Sequence, residues 1–120
     1  MMMRLGLALA ALMLLTVPAL PQASGDREAF LAGTTKDCPG CDLAGVRIKG
    51  RDLSGGNLAG ADLSGATLRH AKLERAVFND AKLTDADFSG ARLNFAWLSD
   101  SEQTGTIWNG ATMPDGTVHE

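Results

Sequence analysis

The sequence predicts a solenoid built from five-residue units, and three observations carry that reading. A large apolar residue returns at every fifth position: Leu43, Ile48, Leu53, Leu58, Leu63, Leu68, Leu73, Phe78, Leu83, Phe88, Leu93 and Leu98. Two residues before it a small one recurs, as an unbroken run of alanine from Ala61 to Ala96. Glycine recurs two residues after the apolar one, at Gly45, Gly50, Gly55, Gly60, Gly65 and Gly90, where a turning chain needs conformational freedom. A period of five suits neither the 3.6-residue period of a helix nor the alternation of a strand. Such a unit cannot bury its own apolar residue, but a stack of them can.

Units such as Ala61-Asp62-Leu63-Ser64-Gly65 follow the pattern A-(D/N)-L-x-x, and twelve in phase resemble the pentapeptide-repeat family over roughly the last two-thirds of the chain. The resemblance implies an all-β fold, a right-handed quadrilateral β-helix of about four coils. Each pentapeptide would form one side of a square coil. The central residue and the small one would point inward, and the other three outward. Packing agrees, because a narrow interior accepts one large and one tiny side chain per side without strain.

Residues 1–23 read as a cleaved signal peptide. Arg4 supplies a positive start, Leu5 to Val17 are nearly all apolar, and Pro18 to Ser24 are small or turn-forming. The apolar run falls short of the ~20 residues that span a bilayer, so no stable membrane insertion is expected after cleavage near Ala19 or Ala23. Residues 24–40 read as an N-terminal cap. Asp26 to Leu31 form a short helix, with Ser24 or Asp26 as N-cap and Gly33 as its stop, and Phe30 and Leu31 cover the open end of the stack. Residues 41–120 form the β-helix. Stepping on from Leu98 gives Gln103, Trp108, Met113 and Val118, sixteen central positions in all, with Trp108 plugging the far end. Residues twenty apart then stack. Arg51 and Gly56 break the small inward position; Arg51 is expected to leave through the N-terminal end toward Asp26, Glu28 or Asp37, and Gly56 to leave space for a neighbouring side chain.

Composition narrows the function. The net charge of −3 is spread with both signs interspersed, and no basic patch favours nucleic acid. Cys38-Pro39-Gly40-Cys41 supports two readings. A redox pair needs its first thiolate at a helix N-terminus, and here the motif runs into a strand. A structural disulfide between Cys38 and Cys41 suits an exported protein and is preferred. A zinc site would need His70 and His119 as well, and these fall on separate outer faces. The carboxylates recur because the repeat recurs, and no nucleophile elbow or phosphate loop is present, so neither an enzyme nor a cofactor is expected.

Apolar residues in outward positions are the informative departures. Val77 and Trp97 stand twenty apart on one face, and Phe95 sits at the neighbouring corner above Arg75, within cation–π reach. Arg75, Val77, Phe95 and Trp97 form a candidate partner surface; the competing reading is that the cap or the C-terminal tail covers them. The expected protein is an exported, non-enzymatic scaffold or protein-binding module, located in the bacterial periplasm, outside the cell, or in a thylakoid lumen. An unidentified protein partner and a homodimer are both compatible with that surface. The resemblance also implies an alternative, a DNA mimic that binds type II topoisomerases, but that role suits a longer, more acidic, cytoplasmic rod. A thiol–disulfide protein using Cys38 and Cys41 is the second alternative.

Overall fold

The structure, a computed structural model, describes the backbone of residues 22–120 and the side chains from Asp26 onward. The segment read as a signal peptide lies outside the described residues except for Gln22 and Ala23, which begin a helix. Beyond that helix the chain coils as a β-helix. Parallel bridges join residues twenty apart, from Asp42 to Asp62 through to Arg92 to Thr112, so four pentapeptides complete one turn.

One repeat shows how the backbone is satisfied. The amides of Leu63 and Gly65 donate to the Lys82 and Thr84 carbonyls at 2.7 and 2.8 Å, and the Lys82 amide donates back to the Ala61 carbonyl at 2.9 Å. At the corner the Ala66 amide donates to the Leu63 carbonyl at 3.0 Å. Four amides per repeat are thus paired within the backbone. The fifth, on the residue after the central one, is met by the side chain before it: the Ser64 amide donates to Asp62 Oδ1 at 3.0 Å. The same bond recurs at Ala44 to Asp42, Ser54 to Asp52, Ala59 to Asn57 and Ser89 to Asp87. The outward Asp or Asn is therefore a backbone cap as well as a solvated charge, a role that the pattern alone does not disclose.

These caps set a pH dependence. The Ser54 hydroxyl and amide hold the Asp52 carboxyl below its ordinary 3.8, and Ser64 does the same for Asp62. Burial pushes Asp87 up, but the Ser89 hydroxyl and amide outweigh it and the result is again lowered. Thr117 lowers Asp115 in the same way.

The interior is as narrow as the pattern requires. Every alanine from Ala61 to Ala91 at the small position is fully buried, as are the central residues from Leu53 to Leu93. The Phe78 ring meets the edge of Phe88 at 5.8 Å between centroids, and Phe88 stacks on Trp108 at 4.9 Å. Trp108 therefore closes the interior near its C-terminal end. Gln103, the polar central residue, is exposed and donates to Ser101 Oγ at 2.8 Å.

At the other end, helix α1 (Gln22–Ala32) starts earlier than the expected Asp26, so Ser24 and Asp26 lie inside it. It stops at Gly33, whose φ of 86° lets the Thr34 amide reach the Ala29 carbonyl at 3.0 Å and the Gly33 amide reach the Phe30 carbonyl at 3.1 Å. Phe30 is fully buried over the stack, whereas Leu31 faces outward at 38% exposure. Arg51 leaves the interior toward the helix and not toward a carboxylate. Its Nη2 donates to the Phe30 carbonyl at 2.6 Å, and its guanidinium lies 4.9 Å from the Phe30 ring centroid. A cation at a helix C-terminus is favoured by the aligned peptide dipoles. Arg27 Nε adds a bond to the Asp42 carbonyl at 2.8 Å, fastening the helix to the first coil.

Gly56 also has a different cause from the one expected. A Cβ there would collide with the Lys36 backbone carbonyl, so glycine admits a close chain crossing and leaves no room for a side chain. The register itself reaches back to Cys38, whose amide donates to the Asn57 carbonyl at 2.8 Å. Lys36 in the small position hides this first repeat from a search for alanine.

The C-terminus departs from the repeat. Phe95 still donates to the Pro114 carbonyl at 3.0 Å, but the chain then reverses, and Val118 pairs antiparallel with Thr112. Val118 is consequently 62% exposed and is not a central residue. The reversal covers an otherwise open strand: the Gly110 amide donates to the His119 carbonyl at 2.7 Å and the His119 amide to the Ala111 carbonyl at 2.8 Å.

Two outcomes follow for stability. In denaturant titrations, Leu73→Ala or Phe78→Ala should lose about 2–5 kcal/mol, Gly56→Ala about 1–3 kcal/mol through forced backbone displacement, and Asp62→Ala about 0.5–1.5 kcal/mol for its cap. Acid should act through the same caps. The carboxyls titrate lower folded than unfolded, so their contribution is present above the ordinary 3.8 and is lost as pH falls through the lowered values. Midpoints measured from pH 6 downward should stay level to about pH 4 and then fall; Asp62→Asn, which keeps an acceptor, should flatten that fall.

Candidate functional site

The twenty-residue turn sorts outward side chains onto four faces. One face differs from the rest in carrying no charge between Asn57 and Ser99; Asp37, whose carboxylate accepts from the Asn57 amide at 2.8 Å, marks its N-terminal end. Its strands align Asn57 with Val77 and Val77 with Trp97, and the same period places Ala59, Asn79 and Ser99 beside them. Trp97 is 60% exposed, Val77 is half-buried, and Asn79 keeps a buried carbonyl oxygen with no donor.

The corners bounding this face carry charge: the first holds Arg75, with Asp115 beyond Phe95, and the second holds aspartates alone. On one side stand Gly55, Arg75 and Phe95, with the Arg75 guanidinium 5.8 Å from the Phe95 ring centroid. Phe95 is 67% exposed, and an open groove lined by Glu74, Arg75, Arg92, Asn94, Phe95 and Thr112 runs beside it. On the other side stand Gly60, Asp80 and Asp100, both aspartates exposed. Among the described residues the ion pairs are Lys36 with Asp52 at 3.6 Å and Arg69 with Asp87 at 3.8 Å, and neither involves Arg75, Asp80 or Asp100.

The four residues singled out in the sequence thus come together: Val77 and Trp97 on one face, Arg75 and Phe95 on its edge. Among the described residues neither the helix nor the C-terminal reversal covers the two aromatics. The sequence reading missed the absence of charge from Asn57 to Ser99 and the aspartates on the corner opposite Arg75. Both were accessible by laying the outward residues out in rows of twenty.

The backbone adds a second mark. Every corner from Gly40 to Gly110 takes a positive φ, and most use glycine, but His70, Arg75, Asp80, Asp85, Phe95 and Asp100 hold it near 60°, and Phe95 is the bulkiest of them. A left-handed conformation costs a residue with a Cβ roughly 1–2 kcal/mol, and a bulky aromatic there is a genuine outlier. The site therefore spends stability to place an exposed ring.

Cys38 and Cys41 are both buried, with Cα atoms 5.4 Å apart, inside the span of a disulfide. Helix α1 precedes them, so no helix N-terminus activates either sulfur. Among the described residues no three His, Cys, Asp or Glu side chains cluster as metal ligands, and the His70 ring lies against Gly90 on the surface.

A family model described as pentapeptide repeats matches residues 41–80 and 75–101. Among solved structures, the chain is similar to a pentapeptide repeat protein from Nostoc PCC 7120, at 32% identity over 69% of this chain and 72% of that one, with a TM-score of 0.40. It is also similar to a pentapeptide repeat protein from the cyanobacterium Cyanothece 51142, at 18% identity over 81% of this chain and 99% of that one, TM-score 0.40. A third, from the Arabidopsis thaliana thylakoid lumen, shares 24% identity over 74% of this chain and 73% of that one, TM-score 0.25. No curated protein sequence matches the chain closely enough to count.

The strain at the corner is open to a direct check. Phe95→Gly removes the Cβ from a left-handed position, and the ring it deletes is largely exposed. Its folded state should be unchanged or more stable by up to about 1 kcal/mol in denaturant. A loss above about 1 kcal/mol would mean that the ring belongs to the packing.

Proposed function

The chain belongs to the pentapeptide-repeat family, whose members form right-handed β-helices, and we propose that it is an exported, non-enzymatic scaffold that presents the face bearing Val77 and Trp97, with Phe95 at its corner, to a protein partner. Residues 1–23 act as a cleaved signal peptide and 24–40 as a cap whose Cys38 already keeps the repeat register; the quadrilateral β-helix of about four coils follows and ends where the chain reverses to pair Val118 with Thr112. The mature protein works in the periplasm, outside the cell, or in a lumen, without nucleic acid, cofactor or a stable membrane segment. Cys38 and Cys41 close a structural disulfide in that compartment.

The observation that carries the reading is the pair of exposed aromatics, Phe95 and Trp97, held on a backbone too regular to fold over them. Tryptophan and arginine are over-represented where partners bind, and exposed aromatic clusters on polar surfaces mark such contacts. The disulfide is supported by the burial and spacing of the two cysteines. Their burial also argues against exchange with a substrate thiol.

The test follows the protein in its own cell. It should be recovered outside the cytoplasm, shortened near Ala19 or Ala23, and its cysteines should resist alkylation until a reductant is added. An affinity-tagged wild type should retain a partner that Phe95→Ser with Trp97→Ser loses, at an unchanged melting temperature. Cytoplasmic retention would overturn export, and equal capture by the double variant would overturn the site.

A further inference from the structure

We propose that the groove beside Phe95 takes a carboxylate of the partner, an Asp or Glu side chain, in the place of a cap that this part of the β-helix lacks. Such a contact deepens the protein-binding reading and rests on it. The receiving group is the backbone amide of Asn94. Two turns earlier on the same face, the Ser54 amide donates to Asp52 Oδ1 at 3.0 Å. The backbone around Asn94 keeps the bonds of the repeat: the Leu93 and Phe95 amides reach the Thr112 and Pro114 carbonyls, and the Ala96 amide reaches the Leu93 carbonyl. The Asn94 amide is therefore aimed as the Ser54 amide is, toward the side chain two residues back. Arg92 stands there in place of an aspartate, and among the described residues this amide has no acceptor.

Cations stand around it. Arg75, Arg92 and Phe95 line the groove with Asn94, and Lys72 lies one turn before Arg92. Among the described residues none of these three cations has a carboxylate within ion-pair distance. The acids of the same face are engaged elsewhere. Asp52 caps Ser54 and pairs with Lys36 at 3.6 Å. Glu74 Oε1 lies 3.5 Å from Ser54 Oγ, on the side away from Asn94. Asp115, beyond Phe95, accepts from the Thr117 amide and hydroxyl at 3.0 and 2.7 Å. A carboxylate is thus the group this site is short of, and both a backbone N–H and a guanidinium make strong bonds to one. Other amides of the repeat also lack caps, but their settings differ. Thr84 follows Lys82 and lies beside Asp85, Glu74 carries its own carboxylate, and Lys49 and Arg69 have no exposed Phe or Trp next to them.

The shape of the groove selects the source of the carboxylate. Pockets that hold a small molecule enclose most of its surface, and this groove is open. A partner seated on Phe95 and Trp97 instead delivers its own side chain there at high effective concentration. The Arg75 guanidinium lies 5.8 Å from the Phe95 ring centroid, so an apolar group resting on that ring is next to the cations that meet the carboxylate. The matching segment of the partner carries an acidic residue beside an aromatic or apolar one.

Nuclear magnetic resonance of the isotope-labelled protein, in the processed form that its cell delivers, tests this with the blocked dipeptide acetyl-Phe-Asp-amide. The probe should move the Asn94 amide signal downfield and saturably. Its neutral counterpart, acetyl-Phe-Asn-amide, should need about tenfold or more concentration for the same shift. Arg92→Asn should fold normally, because Asn57 already serves as a cap at that repeat position, and should abolish the response by capping the amide from within. Arg92→Ala, which leaves the amide uncapped, should weaken binding about threefold to tenfold, and so should Arg75→Ala. Lys82→Ala, on another face, should bind as the wild type does. An Asn94 signal that does not move, equal binding of the neutral peptide, or full-strength binding by Arg92→Asn overturns the site. Equal shifts at the Lys49 and Arg69 amides reduce it to diffuse charge and overturn it as well. Tighter binding of acetyl-Phe with a free carboxyl would assign the groove to chain ends and overturn the side-chain source. Capture of the partner from its cell separates this contact from the reading beneath it. A partner lost by Phe95→Ser with Trp97→Ser but held at full strength by Arg92→Asn leaves the binding module and removes the carboxylate site; a partner held by both variants removes both.

Discussion

Everything in this molecule depends on the twenty-residue turn. Once residue i lies against residue i+20, the environment of each of the five repeat positions is fixed, and most of the sequence follows. The central residue enters a bore wide enough for one Leu or Phe per side, so its neighbour two positions earlier is reduced to alanine. Three amides of each repeat find carbonyls in adjoining turns, and a fourth closes the corner. The fifth has no backbone partner, and an Asp or Asn before the central residue supplies one. Where the A-(D/N)-L pattern is kept, as at Asp62 and Asp87, every backbone amide of the repeat is satisfied. Where Lys72, Lys82 or Arg92 stands in that place the side-chain cap is missing, which an outward position permits.

A stack satisfies itself everywhere except at its two ends, and the chain treats them differently. The N-terminal end is closed by a helix whose Phe30 covers the bore and whose carbonyl terminus accepts Arg51. That arginine looked like a defect in the repeat, yet its displacement from the interior joins the cap to the coil. The C-terminal end closes in two steps: Trp108 fills the bore against Phe88, and the chain then doubles back so that Val118 pairs with Thr112. Ending on a reversed strand leaves less unpaired edge for other chains to join.

The repeat was legible in the sequence because it is local and redundant: twelve central residues carry the same signal, so Leu43 or Leu93 could be placed without knowing any contact. The misplacements share the opposite property, since each depends on one long-range encounter. Arg51 meets a helix carbonyl, which composition cannot reveal, and a search for carboxylates pointed elsewhere. Gly56 answers to the Lys36 backbone, a neighbour that only the register supplies. Val118 keeps the five-residue phase in sequence while the chain has already turned at Gly116. At the candidate site the aromatics were legible because they break the outward rule. The absence of charge from Asn57 to Ser99 is legible too, but only once the outward residues are set in rows of twenty.

The same regularity gives the site its meaning. A solenoid face is close to a fixed plane: its strands are held by bonds above and below, and its corners accept few conformations. Side chains on such a plane cannot be buried by local rearrangement, so an apolar group placed there stays in water until something else covers it. Most positions avoid the problem with Asp, Ser, Lys or Gly. Phe95 and Trp97 do not, and Phe95 accepts a left-handed backbone as well, at a corner where glycine serves elsewhere. Two separate costs therefore fall on neighbouring residues, one of solvation and one of backbone strain, and neither is recovered within the described fold. A contact that removes water from both rings recovers the first and makes use of the second, because the strained corner is what holds Phe95 beside Trp97 with its ring available.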